Sequence, residues 1–144
     1  MIQLRVERTV AASAEDVFAW LADPVNLTAS PLIFKAGWSK DSPQPGVGAR
    51  RDALAVGMWL REEITAYDPP RSYSYLIVRS FPVMNHDGGT LTLTPTTHGT
   101  HVEWVTSLTF PLRGGGKVAE AVTAPLFRSG FDAILAGCAQ ELEG

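Results

Sequence analysis

The sequence has little of several things, and each scarcity excludes something. It has one cysteine, Cys138, so no intramolecular disulfide can form. It has three histidines. His98 and His101 sit three apart at a turn with no third ligand nearby, and His86 lies in a separate loop beside Asp87. A zinc cage needs three or four ligands, so no metal is expected and all three are read as exposed turn residues. No run of like charge occurs. The 12 Lys and Arg and 15 Asp and Glu are scattered, for a formal net charge of −3. Nucleic-acid binding therefore lacks its electrostatic footprint, and a polybasic membrane-surface patch is absent. No apolar stretch approaches membrane-spanning length, so membrane insertion is not expected. The opening "MIQLRVERTV" alternates polar and apolar residues, unlike a signal peptide. These absences together predict a soluble, cytoplasmic protein.

Recognisable chemistry is also missing. There is no G-x-S-x-G elbow and no dinucleotide fingerprint. "PLRGGGKV" faintly resembles a phosphate loop. It lacks the leading glycine, and Val118 stands where a magnesium-binding Ser or Thr belongs. No cofactor is expected. Cys138 falls on an apolar helical stripe, away from any activating N-terminus, and reads as a small buried hydrophobe.

What is present is an ordinary globular composition, 45% apolar and 19% charged, in 144 residues. That supports one core and a single domain over residues 1–144. Ile2, Leu4 and Val6 alternate with polar residues, as in a half-buried strand. "SAEDVFAWLAD" follows, with Ser13 placed to cap a helix and Val17, Phe18, Trp20 and Leu21 forming its apolar stripe. Pro24 ends that helix or opens a second short one. Six further strands are predicted: "LIFKAGWSK", "ARRDALAV", "MWLREEITAY", "SYSYLIVRSF", "TLTLTPT" and "HVEWVTSLTF". Loops or turns separate them at "DSPQPGVG", Gly57, "DPP", "PVMNHDGG" and "THGT". After "PLRGGG" the pattern turns helical through Leu142. Pro125 either marks the true helix start or hinges a lid. Strands in consecutive hairpins imply an antiparallel sheet, and only the C-terminal helix is long enough to cover its apolar face.

This order, with "SAEDVFAWLADPVNL", "PGVGARR", "EEITAYDPPRSYSY", "GTLTLTPTTHGTHVEW" and "FDAILAGCAQELE", resembles the polyketide cyclase/dehydrase family of the START and birch-pollen-allergen-like helix-grip superfamily. The resemblance spans nearly the whole chain. It implies an α+β helix-grip fold, with a curved antiparallel sheet of about seven strands wrapped on a long C-terminal helix and two short helices after the first strand. It also implies a cavity between sheet and helix.

Strand alternation suggests what would line such a cavity. The inward faces read Leu60, Glu62, Ile64 and Ala66; Tyr73, Tyr75, Ile77, Arg79 and Phe81; Leu91, Leu93 and Pro95; and Val102, Trp104, Thr106 and Leu108. Phe127, Phe131, Ile134 or Leu135, Cys138 and Leu142 form one helical face. Glu62 is the anomaly, because an unpaired buried carboxylate is costly. A structural ion pair is the plainest reading, with Arg50, Arg51 or Arg79 as partner. Ligand contact is the next reading, and acid–base catalysis the last. Arg79 either reaches a ligand's oxygens or snorkels outward near Phe81 and Pro82. The candidate ligand-binding residues are Arg51, Glu62, Tyr73, Tyr75, Arg79, Trp104, Phe127 and Phe131, with no catalytic residue assigned. The expected function is binding of a small hydrophobic or aromatic, lipid- or polyketide-like molecule. The alternative is polyketide cyclase or dehydratase activity in the same cavity.

Overall fold

The computed structural model describes residues 1–143. Strand β1 (Ile2–Val10) leads into helix α1 (Ala14–Ala22) and a 3₁₀ helix (Pro24–Ala29). Ser13 Oγ accepts from Asp16 N–H at 3.2 Å, and Asp23 Oδ1 accepts from Val25 N–H at 3.1 Å. Each side chain thus satisfies a backbone donor that its helix start leaves free. The sequence-predicted pair of short helices is therefore present, the second as a 3₁₀ helix. Strands β2 (Ile33–Trp38), β3 (Arg50–Ala55), β4 (Met58–Asp68), β5 (Ser72–Phe81), β6 (Asn85–Thr96) and β7 (Gly99–Thr109) follow. A short 3₁₀ turn, Leu112–Gly114, precedes helix α2 (Gly116–Glu143).

All neighbouring strands are antiparallel, in the order β1-β7-β6-β5-β4-β3-β2. This is the helix-grip plan, with the sheet curled around α2. Gly57 turns the β3–β4 hairpin at a φ of 67°, a conformation that a Cβ would strain. Helix α2 runs unbroken through Pro125, so it starts well before that proline.

One predicted boundary and several predicted faces change. Strand β6 begins at Asn85, so "NHDGG" is strand and only Pro82–Met84 connects it to β5. One-residue bulges also interrupt the pairing along β4, β5 and β6. Thr65 is the extra residue on β4, Val78 on β5 and Asp87 on β6. Side chains alternate with period two, so each inserted residue moves everything beyond it to the other face. Beyond Thr65, Tyr67 replaces Ala66 on the inner face, and Ala66 is exposed. Beyond Val78, Arg79 and Phe81 face outward. Pro95, also expected inside, is exposed near the end of the β6–β7 hairpin.

Candidate functional site

Between the sheet and α2 lies a cavity of about 270 Å³. Most of its wall is apolar: Ile33, Ala53, Leu60, Ile77, Leu108 and Ile134 contribute to it. Strand β7 supplies Trp104 from its inward alternation. Helix α2 supplies Phe127 and Phe131, one turn apart on the same stripe. Trp104 and Phe131 stack with centroids 4.1 Å apart and planes 15° apart, and Phe127 continues the stack at 6.1 Å from Phe131. Such aromatic pairs add about 0.5–1.5 kcal/mol beyond their buried area.

One part of the wall is polar. Arg51 and Glu62 lie directly opposite across β3 and β4, and Arg51 Nη2 donates to Glu62 Oε1 at 3.1 Å. Register thus names the partner that "GARRD" left open. Arg50 points to the other face, toward the carbonyl of Asp41 at 3.4 Å. The Arg51 side chain is 2% exposed, and its Nε and Nη1 have no hydrogen-bond partner. The guanidinium also lies 5.4 Å and 5.8 Å from the ring centroids of Tyr73 and Tyr75. Burial is the largest influence and disfavours its charge, but Glu62 together with Tyr73 and Tyr75 outweighs it, and the guanidinium stays protonated. Burial pushes the Glu62 carboxyl above its ordinary value, and Arg51 pulls it part of the way back.

The two tyrosines part company here. Tyr75 lines the cavity, and its hydroxyl accepts from Trp104 Nε1–H at 2.9 Å. Its ring crosses Gly89 on β6, where a Cβ would collide with it. Tyr73 does not line the cavity. It packs in the core, and its hydroxyl donates to the Leu21 carbonyl at 3.1 Å. Burial raises both phenol pKa values, so both are protonated at neutral pH. Arg79 lies outside the cavity, exposed beyond the Val78 bulge. Arg51, Glu62, Tyr75, Trp104, Phe127 and Phe131 are therefore brought together, and Tyr73 and Arg79 are not.

His86 corrects the expectation of an exposed turn histidine. It is half-buried in the cavity wall, stacked on Tyr75 with centroids 5.5 Å apart. The β5–β6 pairing ends at Tyr75 and Gly89, and the His86 ring fills the gap beyond. Its Nδ1 accepts from Ile77 N–H at 2.9 Å, which fixes the neutral tautomer with the proton on Nε2. Nε2 then donates to Thr106 Oγ1 at 2.7 Å, and Thr106 Oγ1 donates to the Gly88 carbonyl at 3.2 Å. Burial lowers the His86 pKa to about 4. The sequence held one signal for this placement. "HDGG" before an alternating run has the composition of a bulge, which would turn His86 inward. His101, in contrast, sits on the outer face near Glu7, with Nε2 to Oε1 at 3.1 Å. Cys138 is fully buried, and burial pushes its thiol up to about 11.

Solved structures with this architecture cover almost the entire chain. TTHA0849 from Thermus thermophilus aligns with a TM-score of 0.75 at 19% identity, over 97% of this chain and 96% of its own. XoxI from Bacillus cereus aligns at 0.74 and 20%, over 99% and 96%. CV1439 from Chromobacterium violaceum aligns at 0.72 and 18%, over 100% and 99%. Identities this low establish the shared fold. No curated protein matches the sequence. The model of the family described as polyketide cyclase/dehydrase and lipid transport matches residues 1–143, and with this fold beneath it the chain belongs to that family.

Proposed function

We propose that the protein binds a small hydrophobic or aromatic molecule bearing a neutral oxygen acceptor, such as a ketone. The observation that carries this reading is Arg51, a buried guanidinium in the wall of an apolar cavity with two nitrogens lacking partners. A buried donor without a partner costs about 1–3 kcal/mol, which a ligand oxygen would recover. Glu62 already balances the Arg51 charge. A ligand carboxylate would thus enter as a second, uncompensated buried anion. A cavity of about 270 Å³ suits one or two rings or a medium chain rather than a diacyl lipid.

Binding is favoured over cyclase or dehydratase chemistry because, among the described residues, no free base faces the cavity. The His86 Nδ1 lone pair is held by Ile77 N–H, and Glu62 is engaged by Arg51. Calorimetric titration with naphthalene, 2-acetylnaphthalene and 2-naphthoate tests the reading. The ketone is expected to bind about tenfold more tightly than the hydrocarbon and the carboxylate, the effect of roughly one hydrogen bond to a charged donor. The double variant Arg51→Met/Glu62→Leu should erase that preference while retaining naphthalene. A preference that survives the double variant refutes the role of Arg51. Failure of all three compounds to bind refutes the ligand class.

A further inference from the structure

The outer face of the sheet, turned away from α2, divides into two halves. Over β1, β7 and β6 it is mostly polar, with Gln3, Glu7, Thr92, Thr94, Glu103 and Ser107. A polar outer face is simply solvated. Over β2 to β5 it is different. Strand register sets Lys35, Leu54, Trp59 and Phe81 side by side in one cross-strand row. Leu54 is 47% exposed and Phe81 78%. The next row holds Gly37, Asp52, Arg61 and Arg79, and the row after it Arg50 and Glu63. Asp52 and Arg61 are bonded to each other, with Arg61 Nε donating to Asp52 Oδ1 at 2.8 Å. Among the described residues, Arg50 and Glu63 make no ion pair.

Exposed apolar residues gathered on one face mark an interaction surface, and their charged neighbours select the occupant. The outward residues of β3 read Arg50, Asp52, Leu54, and those opposite them on β4 read Glu63, Arg61, Trp59. Each position on one strand thus faces its complement on the other: base and acid, acid and base, aliphatic and aromatic. A two-fold axis between β3 and β4, parallel to both, exchanges these strands between copies. It lays Arg50 over Glu63 of a second copy, Asp52 over Arg61, and Leu54 over Trp59. Each contact then occurs twice, as a self-complementary interface requires. The same axis brings Phe81 under Lys35, a ring face meeting an ammonium. It brings Arg79 over Gly37, where a Cβ would meet nothing within 4 Å, so the long side chain has room. Lys35 and Arg79 lack an acidic counterpart, but they fall at the margins, where water and salt screen them.

We propose that the protein forms a reversible homodimer through the outer faces of β3 and β4, flanked by β2 and β5, with its two-fold axis between β3 and β4. Four strands about 4.8 Å apart, with rows about 6.8 Å apart, make a face of roughly 20 by 20 Å, or about 400 Å² per copy. That is smaller than a permanent interface, so the dissociation constant falls at about 10–100 μM. Arg51 and Glu62 alternate with the interface residues on the same two strands and point the opposite way. The dimer therefore leaves both cavities free.

Sedimentation velocity of the full chain, at concentrations spanning about 10–100 μM, tests this. A dimer fraction that rises with concentration is expected. Leu54→Ser/Phe81→Ser should weaken association about tenfold or more. Leu112→Ser/Val118→Ser removes apolar groups that are also exposed, on the turn before α2 and on α2, and should associate like the parent. Arg50→Glu and Glu63→Arg should each abolish self-association, because each sets like charges together twice. Mixed in equal amounts, these two variants should form a heterodimer, because every contact again joins opposite charges. A misfolded variant could not be rescued by its counterpart, so the mixture separates loss of contact from loss of fold. A parent that stays monomeric throughout overturns the proposal, as does a mixture that fails to associate. A dimer that survives Leu54→Ser/Phe81→Ser, or that Leu112→Ser/Val118→Ser dissociates, overturns it too and places the interface elsewhere.

Discussion

Two ends of one sheet do opposite work. At the closed end, Val10, Phe18, Leu21, Leu91, Leu93, Val102, Leu135 and Cys138 fill the space between sheet and helices. Phe18 meets Tyr73 and Tyr67 edge-on at 5.8 Å and 5.4 Å. At the open end the wall is apolar but encloses a void, and it holds Arg51, Glu62 and His86. Tyr73 and Tyr75, two residues apart on β5, stand on either side of this divide. One hydroxyl is tied to a backbone carbonyl, and the other meets Trp104 beside the cavity. The closed end is arranged for stability. The open end keeps buried polar groups and exposed apolar groups, both of which cost stability.

The largest break in this contrast should come from the ion pair. Glu62→Ala leaves a buried Arg51 charge without its partner and is expected to cost about 3–5 kcal/mol in urea denaturation. Arg51→Met/Glu62→Leu removes both charges and should recover most of that loss. A single variant as stable as the parent would show that the pair is hydrated rather than dry.

Truncations at the two ends sharpen the comparison. Leu135→Ala, at a 1% exposed position in the packed core, should cost about 2–5 kcal/mol. Leu126→Ala, two and a half turns earlier on the same helix at the mouth, should change stability by no more than about 0.5 kcal/mol. Equal costs would mean that the mouth is packed like the core.

A pH slope tests the open end in another way. The His86 pKa falls from 6.5 to about 4 on folding, so the unfolded chain binds the extra proton between those values. This contribution is complete above pH 6.5 and is lost as pH falls to about 4. With partial exposure discounted, it is worth on the order of 2 kcal/mol. His86→Gln should flatten this part of the stability profile. An unchanged slope would mean that folding does not depress the His86 pKa.

Much of the fold was legible because its signals are local. Alternation or flanking turns marked all seven strands, "DPP" and Gly57 marked hairpins, and Ser13 marked a helix start. The family resemblance rested on the order of those signals. The site was legible only in part. Trp104, Phe127 and Phe131 follow simple periods through uninterrupted elements, so their faces could be counted. Arg79 and His86 lie next to bulges, where counting fails after one inserted residue.

The sequence by itself determined the elements, their antiparallel order and an apolar interior with a carboxylate on its face. Those properties depend on neighbours a few positions apart. Tertiary structure alone decided that Arg51 meets Glu62, that Tyr75 rather than Tyr73 borders the cavity, and that His86 closes the gap beyond the β5–β6 pairing. Each depends on cross-strand register or on the approach of remote segments, and no local period in the chain encodes either.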